Sequence, residues 1–437
     1  MFFNARFYYP VFTILFLDFG LTLQQFALLN AVWAATIVVV EVPSGAMADI
    51  VGRRKLLVTA GVLMVIEMAL LCFVPLGRPT LLFTVFLINR VFSGTAEASA
   101  SGADEAIAYD TLKREGNAQD WGRVLESQMR LQSIAFIGAS IIGAAAYDPA
   151  LMQRLADLIG LRISLTQEVT LRFPIYLTLA MAVLTLLTTL RLDEKINADE
   201  ECFDLKNCGK SIAEALRLTM QAGAWILKTP FALIIISAGL LFDHIIRMLL
   251  TLNSQYYRLI QLPEASFGLI GSGMALLGVF IPHIAFKLAQ RHSPRFNLAF
   301  VSILTVLGLW GMTLFLPIIG LVPALLLGSV MFLMNFFVSH YLNRITSSRQ
   351  RATVLSFKGL SNNLAYGAIG LLYALLIAFL RSQVATPRPT LGKEALENEI
   401  FIESIGWFPW YFVLTVAALL VFAHMQLRDS GEHKTPG

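Results

Sequence analysis

The sequence predicts an all-α membrane protein with twelve transmembrane helices in two six-helix bundles. Three observations lead there. Of 437 residues, 57% are hydrophobic and only 14% are charged, whereas a soluble domain carries about 25% charge. The apolar residues gather into twelve runs, each near the roughly 20 residues that a helix needs to cross the hydrocarbon. The one long polar stretch, about 191–228, falls between the sixth and seventh runs.

The runs centre near residues 13, 36, 65, 92, 135, 180, 240, 275, 305, 330, 367 and 414. Backbone that faces lipid must satisfy its hydrogen bonds internally, so each run is read as a helix. The first, MFFNARFYYPVFTILFL, has no small-residue cleavage site after it and reads as an uncleaved span. The polar stretch begins acidic and loop-like, then takes helical spacing in SIAEALRLTM (211–220), a short amphipathic helix for the membrane surface. The expected domains are therefore a bundle at 1–191, a cytoplasmic linker at 192–227 and a bundle at 228–437. Two outer loops exceed a turn: about 148–170, with amphipathic LMQRLADLIGLRI, and about 382–402.

Lysine and arginine set the orientation. With the N-terminus inside, the inner loops hold 21 of them and the outer loops 8, counting Arg6 as inner. Four more, Arg90, Arg130, Arg247 and Lys358, fall within spans. Both termini are thus expected in the cytoplasm and the chain in the plasma membrane. The absence of any Asn-x-Ser/Thr sequon points to a bacterial inner membrane.

Several function classes drop out. Net charge is only +4, with no basic stripe interleaved with aromatics, so no nucleic-acid partner is expected. Cys72, Cys202 and Cys208 lack zinc-ligand spacing. The chain contains no HExxH, GxSxG, aspartate-rich metal pair or Walker loop, which argues against a membrane-embedded lipid enzyme. No catalytic residue, metal or cofactor is expected. The tail HMQLRDSGEHKTPG is too short for the signalling domain of a transporter-shaped sensor.

GAMADIVGRRK (45–55) packs four charges between two uncharged runs. Gly45 and Gly52 would permit close helix approach and a tight turn. Asp49 would sit at a membrane–water boundary, and Arg53, Arg54 and Lys55 would anchor the inner loop. Within the spans, a charged group costs roughly 2.5–3.5 kcal/mol. Span 4 nonetheless holds Arg90 and Glu97, with Asp104 and Glu105 towards its inner end. Residues 90, 94, 97, 101 and 104 share a helical face. Arg90 and Glu97 are about 10 Å apart along the axis, too far to pair, so a wet central cavity is expected. Asp243 and Arg247 in span 7 are an i,i+4 pair that either neutralises itself or serves the cavity, beside His244. Asp18, near the outer end of span 1, is a lesser candidate. Glu67, His283, His340 and Lys358 read as interfacial or packing groups. A buried carboxylate can carry a proton through an alternating cycle; Glu97 is the first choice, with Arg90 modulating it.

Gly45-x-x-x-Asp49-x-x-Gly52-Arg53-Arg54-Lys55 resembles the loop 2–3 signature of the major facilitator superfamily, with Met47 where leucine is usual. LINRVFSGTAEA (87–98) is similar to its fourth-span pattern, EAIAYD (105–110) to the inner end of that span, and RATVLSF (351–357) to the start of span 11. VPSGA (42–46) is echoed by IPHIA (281–285), as parallel halves would require. The resemblance implies a secondary transporter, expected as a monomer, that moves a small organic solute by alternating access. It further implies proton coupling and a latch of charges at Asp49, Arg53 and Asp110. Export is the expected direction. Uptake symport or facilitation is the alternative, because IGASIIGAAAYDP (137–149) lacks the exporters' Gly-Pro step within span 5. Replacing Asp49 with Asn should abolish transport in proteoliposomes while leaving the protein in the membrane; flux at the parent rate would refute the latch.

Overall fold

The computed structural model describes residues 2–115, 120–192, 205–346, 348–385 and 392–432, and every regular element among them is helical. Eleven helical stretches among the described residues are long and apolar enough to cross a membrane. The first expected span is the exception. It consists of 3-10 turns at Phe2–Asn4 and Tyr9–Val11 followed by α1, Phe12–Asp18. Pro10 explains the break, since its ring would collide with the carbonyl of Arg6 and it has no N–H to continue a helix. The Tyr9 N–H bonds the Arg6 carbonyl in a tighter turn instead.

A capping box starts α2, Leu23–Val51: the Thr22 hydroxyl accepts from the Gln25 N–H, and the Gln25 side chain accepts from the Thr22 N–H. Gly52, at φ +99°, is the single residue between α2 and α3, Arg53–Phe73. Three cations then open α3 at its positive dipole end, which is unfavourable by itself. Arg54 offsets this by donating at 2.8 Å to the carbonyl of Leu190, at the negative end of α9, Phe173–Leu190.

Next comes α4, Pro79–Ala100, which ends earlier than expected. Ser101 leaves the helical region and Gly102 takes φ +72°, so α5, Ala103–Glu115, is a separate helix. Asp104 and Glu105 therefore do not extend the face of Arg90 and Glu97; they are exposed in the first turn of α5, where acids suit the dipole. The chain continues as α6, Trp121–Tyr147, and α7, Pro149–Leu158, the latter capped by Asp148. A short α8, Gln167–Thr170, precedes α9.

The surface helix is longer than expected: α10 runs over Leu205–Lys228. It is followed by α11, Pro230–Leu259; α12, Phe267–Arg291; α13, Pro294–Thr313; and α14, Leu321–Ile345. The last two are α15, Ser348–Ala385, and α16, Lys393–Glu432. Much of the expected 382–402 loop is thus helical, because α16 begins at Lys393. Pro43 and Pro282, from the echoed segments, both lie inside helices.

The chain divides into two compact units. The first comprises residues 1–216 with 263–275, the second 217–262 with 276–437. In the first, α3 packs against α4 and α9, and α2 against α4. Gly94 sets the α2–α4 contact, since a Cβ there would come within 2.9 Å of the Trp33 carbonyl and of Thr36. Gly45 shows no such contact among the described residues and is exposed, so close approach at that position is not seen. In the second unit, α11 packs against α14, α15 and α16.

Gly143 on α6 lies against the backbone of Phe7, where an added Cβ would overlap the Phe7 carbonyl. Gly138, one and a half turns earlier, has nothing within 4 Å. Gly143→Val should lower the thermal midpoint of the detergent-purified protein, overpacking costing about 1–3 kcal/mol. Gly138→Ala should leave it unchanged or slightly raised; equal effects at the two positions would contradict this packing.

Candidate functional site

The break at Pro10 turns the N-terminal segment into the first unit, where Arg6 meets charges from α3 and α4. Arg6 Nη1 lies 2.9 Å from Glu67 Oε1 and 3.1 Å from the Tyr8 hydroxyl, with Ser93 Oγ longer at 3.4 Å. The side chains of Arg6 and Glu67 are 2% and 0% exposed. An unpaired buried ion would cost several kcal/mol, so each holds the other in place. The Arg6 guanidinium also stands over the rings of Phe3 and Tyr9, 5.3 and 5.9 Å from their centroids.

Glu97 approaches the same arginine from α4. Its Oε2 is 3.8 Å from Arg6 Nη2, and its side chain is 42% exposed. Two carboxylates thus share one cation, the inner one sealed and the outer one accessible. Arg90, midway along α4, does not pair with Glu97. It donates through Nε and Nη2 to Asn89 Oδ1 at 3.2 and 3.1 Å, and lies 5.2 Å from the ring centres of both Phe12 and Phe16. Asn89 in turn donates to the backbone carbonyl of Glu67 at 3.0 Å.

A second cluster lies in the other unit. On α11, Arg247 Nη2 is 2.7 Å from Asp243 Oδ2; the two side chains are 27% and 6% exposed. Arg247 also donates to Asn363 Oδ1 of α15 at 3.1 Å and stands 5.3 Å over the Tyr366 ring. The Tyr366 hydroxyl bonds Thr251, one turn beyond Arg247. His244 Nε2 lies 3.2 Å from the Tyr411 hydroxyl of α16. Lys358, on α15, lies within electrostatic reach of Asp243 and Arg247.

The remaining expected residues are scattered. Asp18 accepts a short 2.5 Å bond from the Tyr147 hydroxyl, joining the ends of α1 and α6. Gly52, Arg53 and Arg54 form the α2–α3 corner. Asp49 and Asp110, expected in the latch, lie outside the residues whose side chains are described. Two assignments change. Arg6 is not a loop residue but is buried within the unit, and Glu67 is a sealed ion-pair partner rather than a packing group. Each is a lone ion in an otherwise apolar run; two such runs with opposite charges was the signal available in the sequence. Lys358 likewise joins the second cluster.

Asp243→Ala should destabilise the protein more than the double replacement Asp243→Ala with Arg247→Met. The single change strands a half-buried cation, at a cost below the roughly 3–5 kcal/mol of a fully buried one, whereas the double removes both charges. Thermal unfolding in detergent reads the order; a double variant less stable than the single would overturn it.

The family model of the Major Facilitator Superfamily matches residues 1–370. Among solved structures, the fold is similar to a bacterial homolog of the human lysosomal transporter Spinster, inward-facing and unoccupied. That likeness has a TM-score of 0.71 and 14% identity over 98% of this chain and 95% of the other. The nucleoside transporter NupG gives 0.67 at 15% identity, with 96% of each chain covered. A D-xylose-proton symporter gives 0.59 at 12%, covering 93% of this chain and 94% of its own. Comparison with curated proteins finds no match. With its helical architecture, and a family model spanning most of its length, the chain belongs to the major facilitator superfamily and is a multi-pass membrane transporter, not an enzyme.

Proposed function

We propose that the chain is a proton-coupled secondary transporter that moves a small organic solute across the plasma membrane by alternating access. It works as a monomer with both termini in the cytoplasm. The moving bodies are the bundles 1–191 and 228–437, joined by the linker 192–227. The observation that supports this most is the placement of ions among apolar segments: Glu67, Arg90 and Glu97 on helices of one unit, with Arg6 from its N-terminal turns, and Asp243 and Arg247 on α11 in the other. Ions at that depth are costly to keep unless a cycle uses them.

Glu97 carries the proton in this reading, because it alone among the first unit's four ions combines substantial exposure with a nearby cation. Arg90 tunes the surrounding field. Asp49, Arg53 and Asp110, with Gly45, Gly52 and Arg54 at the same corner, form the latch that opens and closes the inner side. Asp243 and Arg247 serve the solute path.

Export is the direction proposed. Uptake stands as a second reading, favoured by the unbroken α6, which carries Gly138 and Gly143 but no proline. Solutes that raise thermal stability can be found by screening drugs, sugars, amino acids, metabolites and lipids at two pH values. Their flux in everted vesicles then reads direction. A proton gradient should drive the parent's flux, while Glu97→Gln retains solute exchange but loses the drive. Solute-induced proton release from purified Glu97→Gln at the parental stoichiometry would remove Glu97 from the role.

A further inference from the structure

We propose that Glu67 is a positioning residue that sets the acidity of Glu97 by holding Arg6 between them. This rests on the proton-coupled reading above but concerns a different residue. Arg6 spends Nη1 on Glu67, Tyr8 and Ser93, and turns Nη2 towards Glu97. Neither Arg6 Nη2 nor Glu67 Oε2 has a hydrogen-bond partner among the described residues. The 3.8 Å gap to Glu97 is an ion-pair distance too long for a hydrogen bond. The cation is therefore hydrogen-bonded to the sealed carboxylate and only loosely paired with the accessible one.

That asymmetry has a consequence for proton loading. If Glu97 takes a proton, Arg6 keeps a charged partner in Glu67, so no bare cation is left in the protein interior. If Glu67 were neutral, Arg6 would depend on Glu97 alone, and protonating Glu97 would strand it. Glu67 thus lets Glu97 exchange its proton without stranding Arg6. Tyr9, from the N-terminal segment, also acts electrostatically on Glu97, Tyr8 reaches it only through Arg6, and Arg90 on the same helix is turned to Asn89 instead. On α2 the Ser44 hydroxyl bonds the Ala98 carbonyl next to Glu97, with Glu41 one turn earlier. Asp104 and Glu105, in α5 beyond the break at Gly102, are exposed and off the Glu97 face.

Infrared difference spectra of the reconstituted full chain, titrated with acid, read the carboxylic C=O band directly and need no solute. Glu97→Gln should remove one titrating component. Glu67→Gln should keep that component but move its midpoint to lower pH, about tenfold in proton concentration, because Arg6 then favours ionised Glu97 unopposed. Arg6→Gln should move it to higher pH by a similar factor. Arg6→Gln combined with Glu67→Gln should return it near the parent position, and this pair tests the idea even if Glu67→Gln alone fails to fold. A Glu97 midpoint that is the same in the parent, Arg6→Gln and the double variant would overturn the inference and leave Arg6 and Glu67 as a static staple. The predicted midpoints without proton-driven flux would instead refute the coupling reading while sustaining this one.

Discussion

Taking an ion out of water is the constraint on which the rest of the first unit depends. A buried charge in a real protein costs several kcal/mol, and pairing offsets that only when geometry is good and the remaining polar atoms find partners. Arg6 and Glu67 lie in different parts of the chain, 61 residues apart, and are both sealed from solvent. To meet Glu67, Arg6 must leave the straight path that a spanning helix would impose. Pro10 provides the break, and the 3-10 turns on either side of Arg6 carry the side chain inward. The irregular first segment thus brings Arg6 to the ion pair.

Packing places the other partners. In lipid there is little hydrophobic drive between helices, so close backbone approach carries much of the association. Gly94 brings α4 against Trp33 and Thr36 of α2. With that face committed, the helical register sets Arg90 one turn before the contact and Glu97 three residues after it. Ser44 then bonds the Ala98 carbonyl at 2.8 Å and fixes the end of α4 beside Glu97. At the α2–α3 corner, the turn at Gly52 and the Arg54–Leu190 bond tie α3 to α9, and α3 is the helix that carries Glu67.

Much of this was legible in the sequence. Run lengths of about 20 residues are dictated by membrane thickness, so eleven spans could be placed from composition alone. The polar corner at 52–55 and the lone charges of span 4 stood out against apolar neighbours. The rest was hidden for identifiable reasons. Charge counting places Arg6 in a loop because the rule sees proximity to the chain end, not burial. Glu67 reads as an interfacial or packing group because one carboxylate in an apolar run has no visible partner until a segment 61 residues away folds onto it. The break at Gly102, which separated Asp104 and Glu105 from the span 4 face, depends on a positive φ that periodicity does not register. Gly45 fits the motif, yet its surroundings are open among the described residues. A motif specifies a residue's place in the chain, whereas its contacts depend on what folds against it.

The two ion clusters differ in how they can respond to movement. Asp243 and Arg247 sit four residues apart on one helix, so their bond travels with α11 as a body and survives any displacement of it. Their links to Asn363, Tyr366 and Lys358 of α15 depend on neighbours. In the first unit each ion comes from a different segment: Arg6 from the N-terminal turns, Glu67 from α3, Glu97 from α4. A shift of about 1 Å between those segments would bring Arg6 Nη2 within hydrogen-bond range of Glu97 or carry it out of reach. Coulomb energy between close charges in a poorly solvated region changes steeply over that distance. The same small motion that would be silent on α11 therefore redistributes charge around Arg6. Sensitivity to movement belongs to the cluster assembled from separate segments, and constancy to the pair built on one.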